Sequence, residues 1–170
     1  MRISAQWFSA QWLWWSPWLR LLAVLLAVVL WVRPVAAADA SPQRWDLRDA
    51  AGQRWGLVLF SQPDPAYPSG WRLRLTALVG SASLDHRQPL QLDDGSGQTW
   101  LLENRSEELV APGEGGLPPQ SAQFDLAGLQ PRPSAVLPLH LRVSLEDGEA
   151  ELVLGPDQLN ALHALPTAAS

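Results

Sequence analysis

The chain has 170 residues, no cysteine and no lysine, and its twelve arginines stand against seventeen acidic residues. Without cysteine there is no disulfide, no zinc–thiolate or iron–sulfur site and no cysteine nucleophile. The net charge of −5 argues against nucleic acid and anionic membrane surface as partners, since both call for a basic patch.

The first element is a leader. Arg2 is followed only by uncharged residues as far as Leu19, five of them tryptophan, and Arg20 then opens the twelve-residue apolar run Leu21–Val32. Arg33 and Pro34 close that run, and Ala36-Ala37-Ala38 supplies a small-x-small cleavage pattern ahead of Asp39. This is the layout of a secretory signal peptide. Twelve apolar residues fall short of the roughly 20 that a spanning helix needs. Extending the run back to Trp12 reaches that length, but buries Arg20 at mid-membrane at a cost of roughly 2.5–3.5 kcal/mol. A retained single-pass anchor is the competing reading. The chain has no Arg-Arg pair for the twin-arginine route and no cysteine for lipidation. The expectation is general secretion with cleavage after Ala38, the leader being residues 1–38 and the domain residues 39–170. Nine arginines against seventeen acids then leave the exported part at −8. Its 132 residues suit one domain that buries roughly two-thirds of its unfolded surface.

Period-two alternation dominates that domain. Trp71-Arg72-Leu73-Arg74-Leu75-Thr76-Ala77 sets Trp71, Leu73, Leu75 and Ala77 on one face, with Arg72, Arg74 and Thr76 on the other. Leu139–Leu145 repeats the scheme, and Glu149–Leu154 follows it after the turn Glu146-Asp147-Gly148, which reads as a hairpin. Further strands are expected at Gln43–Arg48, Arg54–Phe60, Pro89–Leu92, Thr99–Glu103 and Ala122–Leu126. An internal similarity links Leu47–Trp55 to Leu92–Trp100, which agree at Leu, Asp, Gly, Gln and Trp with an offset of 45 residues. Two hairpins sharing Asp/Gly turn chemistry explain it more simply than a duplication. The connections Pro63–Gly70 and Pro112–Pro119 are rich in proline and glycine. The second is long enough to carry binding function. A short helix closes the chain: Pro156 suits its first turn, and Leu159, Leu162 and Leu165 fall on one face before Pro166. The fold class is therefore all-β, an antiparallel sandwich or small barrel of about seven to nine strands with one C-terminal helix.

Residues able to carry chemistry are few. In Asp85-His86-Arg87 a carboxylate could orient an imidazole as a general base. Neighbours on a strand face opposite ways, however, and the tripeptide lies where a polar turn is expected. His140 and His163 are isolated, so the three histidines lack metal-ligand spacing. Asp93-Asp94-Gly95-Ser96-Gly97 and Glu146-Asp147-Gly148-Glu149 lack the ligand alternation of a calcium loop and read as hairpin turns. Arg72 and Arg74 share a face and could hold an anion; the plainer reading is a solvated stripe paired with cross-strand acids. Trp45, Trp55, Trp71 and Trp100 sit at strand positions as core residues, with an aromatic-lined ligand pocket as the alternative. The candidate binding residues are thus Asp85, His86, Arg87, Arg72 and Arg74, with no catalytic set, metal or cofactor expected.

The leader, the Leu47-Arg48-Asp49…Gly52…Trp55 hairpin, the Asp85-His86…Pro89-Leu90 segment and the closing Pro156–Leu165 helix together resemble the cyanobacterial family known as domain of unknown function 3122. The Trp-rich leader and the Gly113–Gly116 loop depart from its pattern. The resemblance implies an exported protein of the periplasm or thylakoid lumen and brings no activity with it. Two functions compete: a non-enzymatic interaction module at a membrane protein complex, and a carrier of a small apolar ligand such as a pigment or lipid. The membrane itself is touched only through the leader, if that is retained.

Overall fold

The computed structural model describes residues 41–166 apart from Ser81, Pro112 and Glu114; the leader and its expected cleavage site lie outside them. Eight strands form two antiparallel sheets: β1 (Gln43–Arg48), β2 (Arg54–Ser61), β3 (Trp71–Ala77), β4 (Leu90–Asp93), β5 (Thr99–Leu102), β6 (Ser121–Asp125), β7 (Leu139–Leu145) and β8 (Gly148–Leu154). The first sheet runs β1-β2-β3-β6 and the second β5-β4-β7-β8. Helix α1 (Pro156–Ala164) follows. The sheets do not close into a barrel. They share one core, to which the inward positions of both contribute together with Leu159 and Leu162 of α1, and this is a sandwich.

Alternation sets which side chains enter that core. On β3, Leu73, Leu75 and Ala77 are buried, and on β7, Leu139, Leu141 and Val143, each set separated by outward polar residues. Three of the expected strands match residue for residue; the other five differ by a single residue at one end or at both, where pairing rather than pattern decides.

The two similar hairpins occupy equivalent places, one in each sheet. Leu47 faces Trp55 across β1 and β2, and Leu92 faces Trp100 across β4 and β5. Both turns use an aspartate to hold backbone N–H groups: Asp49 accepts from Gln53 at 2.8 Å, and Asp94 accepts from Ser96 at 2.9 Å. Gly52, at φ +81°, supplies the left-handed residue that the first turn requires. The indoles diverge, Trp55 donating to Asp49 at 3.0 Å and Trp100 to the Pro131 carbonyl. Shared turn chemistry accounts for the likeness.

After β5 the chain crosses from one sheet to the other. Asp125 N–H donates to the Glu103 carbonyl at 2.9 Å, and Arg105 N–H to the Gln123 carbonyl at 2.7 Å, so residues 103–105 cover the free edge of β6. That crossing carries a short 3-10 turn, Ser106–Leu109, to the first sheet. Asn104 starts the turn by accepting from Ser106 N–H at 3.0 Å. A second 3-10 turn, Leu126–Gly128, presses so closely on β5 that a Cβ on Gly128 would stand 2.9 Å from the Leu101 carbonyl oxygen. Helix α1 is fixed at both ends. Gln158 reaches back to Gly155 N–H at 3.0 Å, and Arg132 donates to the carbonyls of Leu162 and His163 at 2.8 Å, satisfying C-terminal acceptors that the helix leaves open.

Candidate functional site

The outward positions of the first sheet form rows. One runs Arg44–Val58–Arg74–Gln123 and the next Phe60–Arg72–Asp125, from the registers of β1, β2, β3 and β6. Arg72 and Arg74 therefore do share a face, but their surroundings differ completely.

Arg72 is fully buried, with no exposed side-chain surface. The Ser106–Leu109 turn lays Glu108 over it, and that carboxylate, 1% exposed, is gripped from both oxygens: Arg72 Nε and a terminal guanidinium nitrogen each donate at 2.9 Å. The remaining donors go to the Pro68 carbonyl at 2.8 Å and the Trp71 carbonyl at 3.3 Å, with Asp125 also 3.3 Å away. Gln62 and Gln123 donate to the same Glu108 oxygen. Burial alone raises the Glu108 pKa, but the bonds from Arg72, Gln62 and Gln123 outweigh it and hold it below the usual carboxylate range. The expected cross-strand acid is present as Asp125, opposite Arg72 on β6. A solvated stripe is not. The reason is tertiary: a turn 36 residues away covers the position, and Tyr67 bonds the Val110 carbonyl at 3.2 Å beside it.

Arg74 keeps part of its surface. Its guanidinium lies 5.0 Å from the Phe60 ring centroid and donates to Gln123 Oε1 at 2.7 Å. Burial lowers its pKa first, and the positive charge of Arg44 lowers it further, with Glu108 opposing. Among the described residues no carboxylate lies within ion-pair distance of Arg44 or Arg74; Asp46, on the same face, pairs with Arg54 at 2.6 Å.

Asp85, His86 and Arg87 form a turn between the Leu84 bridge and β4. Asp85 accepts from Arg87 N–H at 3.0 Å and from its guanidinium at 2.9 Å, which holds the Asp85 carboxyl below its usual pKa. His86 Nε2–H donates instead to the Ser121 carbonyl at 2.9 Å. The aspartate and the imidazole thus serve different partners, and the tripeptide is apart from the Arg72 and Arg74 side chains. His140 pairs with Glu151 at 2.9 Å and His163 donates to the Pro133 carbonyl at 2.7 Å, so the histidines remain separate. Among the described residues no cluster of three or more His, Asp or Glu side chains is arranged around a metal position.

Concavities indent the surface of the described residues. An open groove of about 500 Å³ lies between Trp71, the Leu126–Gly128 turn and the end of α1, bordered by Leu129, Leu162 and Leu165 with Asp125 and Arg132 at its rim. A polar cleft of about 320 Å³ lies between the Asp49–Ala51 turn and Arg142, Glu149 and Glu151. Trp55 and Trp100 line neither and are buried in the core, as expected; Trp45 and Trp71, expected there too, are only partly buried at its margin, and Trp71 lines the groove.

Glu108, Gln62, Gln123 and Arg44 escaped the sequence reading. Gln123 was within reach of it, since Ser121-Ala122-Gln123-Phe124-Asp125 alternates as β3 does. Arg44 likewise alternates with Asp46 and Arg48 along β1. Glu108 left no such signal.

No curated protein and no solved structure matches the chain. A family model does, over residues 40–160, which is most of the chain and includes every strand together with the first turn of α1. The chain belongs to the family described as Protein of unknown function (DUF3122).

Proposed function

We propose that this domain is an exported, non-enzymatic interaction module that works at a membrane protein complex on the periplasmic or thylakoid-lumenal side. One observation carries the reading against a carrier. Of the four strand tryptophans that would have to line an interior pocket, Trp55 and Trp100 are packed into the shared core, Trp45 and Trp71 are partly buried against it, and Trp71 borders only the open groove. What the domain offers a partner is surface: the half-buried arginine-bearing face of the first sheet and the open groove beside Trp71.

The carrier reading retains one supporting feature, the groove's volume of about 500 Å³, which falls within the usual span for small-molecule sites. Its openness weighs against it, because a carrier must hide most of an apolar ligand from water, and buried apolar area is what holds such a ligand. Catalysis draws no support from Asp85 and His86, which do not address each other: Asp85 is taken up by Arg87 and His86 by the Ser121 carbonyl.

Native mass spectrometry and absorption spectroscopy of the protein purified from its own host test the proposal. A stoichiometric protein partner is expected. A stoichiometric pigment or lipid, with no protein partner, overturns it in favour of the carrier.

A further inference from the structure

The fold separates two arginines that the sequence presents as a pair. Arg72 is spent on Glu108, Asp125 and two backbone carbonyls. Arg74 is left, and β1 brings Arg44 to its side. Arg44 and Arg74 stand in one register row on either side of Val58, so their Cα atoms lie roughly 10 Å apart, two strand spacings. Their guanidiniums can meet the same bound chain. Val58 between them and Phe60 one row along, both half-buried, give the apolar ground, and the Arg74 guanidinium lies over the Phe60 ring.

This placement is unusual for the molecule. The exported part has eight more acidic residues than arginines, yet Arg44 makes no hydrogen bond or ion pair among the described residues, and Arg74's side-chain bonds go to the neutral Gln123. Like charges held near each other across a sheet repel, and an arriving anion relieves that repulsion.

We propose that this face, with Arg44 and Arg74 flanking Val58 and Phe60, docks an acidic segment of a partner polypeptide. Carboxylates of the segment meet the two guanidiniums, and its apolar side chains lie on Val58 and Phe60. The proposal rests on the interaction-module reading and names the surface that serves it. A polypeptide fits better than a free anion because Arg44 and Arg74 stand two strands apart with an apolar residue between them, and exposed ion pairs with a small ion are worth little by themselves. It fits better than an anionic bilayer because a bilayer would press the whole acidic domain against like charge, whereas a single segment meets only the local patch.

Fluorescence anisotropy tests it on the full chain at low ionic strength. The probe is a labelled peptide of glutamate, phenylalanine and serine; the comparisons are the same peptide with glutamine for glutamate, and vesicles of anionic phosphatidylglycerol. Arg44→Ala is the deciding variant, because Arg44 makes no hydrogen bond or ion pair among the described residues, so its melt is expected to match wild type. Arg74→Gln is the second, and Arg142→Ala, on the outer face of the other sheet, is the control. The expected result is binding of the acidic peptide but not the glutamine peptide. Arg44→Ala and Arg74→Gln should each weaken it about tenfold, equivalent to about 1.4 kcal/mol, while Arg142→Ala should not. The proposal is overturned by no binding to the acidic peptide, by equal affinity for wild type and Arg44→Ala, by an equal loss in Arg142→Ala, or by vesicle binding that alone depends on Arg44. A partner purified from the host that stays with Arg44→Ala would reject this surface and leave the interaction reading intact. A wild-type protein that brings no partner would reject the interaction reading itself.

Discussion

Glu108→Ala should be among the most damaging substitutions on the outer surface of either sheet. The change leaves the buried Arg72 guanidinium without the carboxylate that grips it at two points of 2.9 Å. Removing one member of a buried ion pair costs roughly 3–5 kcal/mol, because the remaining charge stays in a medium of low dielectric constant. Asp125, 3.3 Å away, and the Pro68 and Trp71 carbonyls remain, which puts the expected loss near the lower end, about 3 kcal/mol. Against a total of roughly 5–15 kcal/mol this is a large share, and for a domain of this size it lowers Tm by roughly 10–15 °C. Urea unfolding at neutral pH measures it directly. The double variant Arg72→Met/Glu108→Leu should recover most of the loss, since apolar side chains of similar volume commonly replace a buried pair without penalty. If Glu108→Ala unfolds within about 0.5 kcal/mol of wild type, the ion pair is not buried in solution and the description of this face is wrong.

The same pair predicts a pH dependence. The folded pKa of Glu108 lies below its unfolded value, so its contribution is complete above the unfolded carboxylate pKa of about 4.3 and fades as pH falls through the folded value. Wild type should therefore lose more stability than Glu108→Gln between neutral pH and pH ~3, and parallel acid melts would contradict it. Trp55→Ala should cost ~3–5 kcal/mol in urea unfolding, because a fully buried indole bonded to Asp49 leaves a cavity; an unchanged midpoint would place Trp55 at the surface. Gly128→Ala should cost ~1–3 kcal/mol, since its Cβ would meet the Leu101 carbonyl oxygen and drive the turn off β5; a melt equal to wild type would show that the close approach is absent.

The sheets were legible in the sequence because the strands alternate apolar inward residues with mostly polar outward ones. In Trp71–Ala77 and Leu139–Leu145 a single register puts every leucine inside, and a slip of one residue would expose them all. The Asp/Gly turns were legible for a local reason as well, since their aspartates bond N–H groups two to four residues away. The Arg72 network was not legible. Alternation correctly sends Arg72 outward, but whether outward means water depends on the Ser106–Leu109 turn folding back over β3, and nothing within a strand's length reports that. The two 3-10 turns were missed because three or four residues are too few to show a period. At Asp85-His86 the reading as a polar turn anticipated the bonds between Asp85 and Arg87, while the His86 contact with Ser121 spans 35 residues and has no local signature.

Site-directed photo-crosslinking in the native host tests the interaction reading most directly, and it suits a chain with no lysine for amine-reactive reagents. A photoreactive residue would be placed in turn at Val58 between Arg44 and Arg74, at Ala127 in the groove, and at Val153 on the outer face of the second sheet. The account predicts a discrete adduct with one protein from position 58, and none from position 153. Uncrosslinked protein at all three positions, recovered with a pigment or lipid bound, would contradict it.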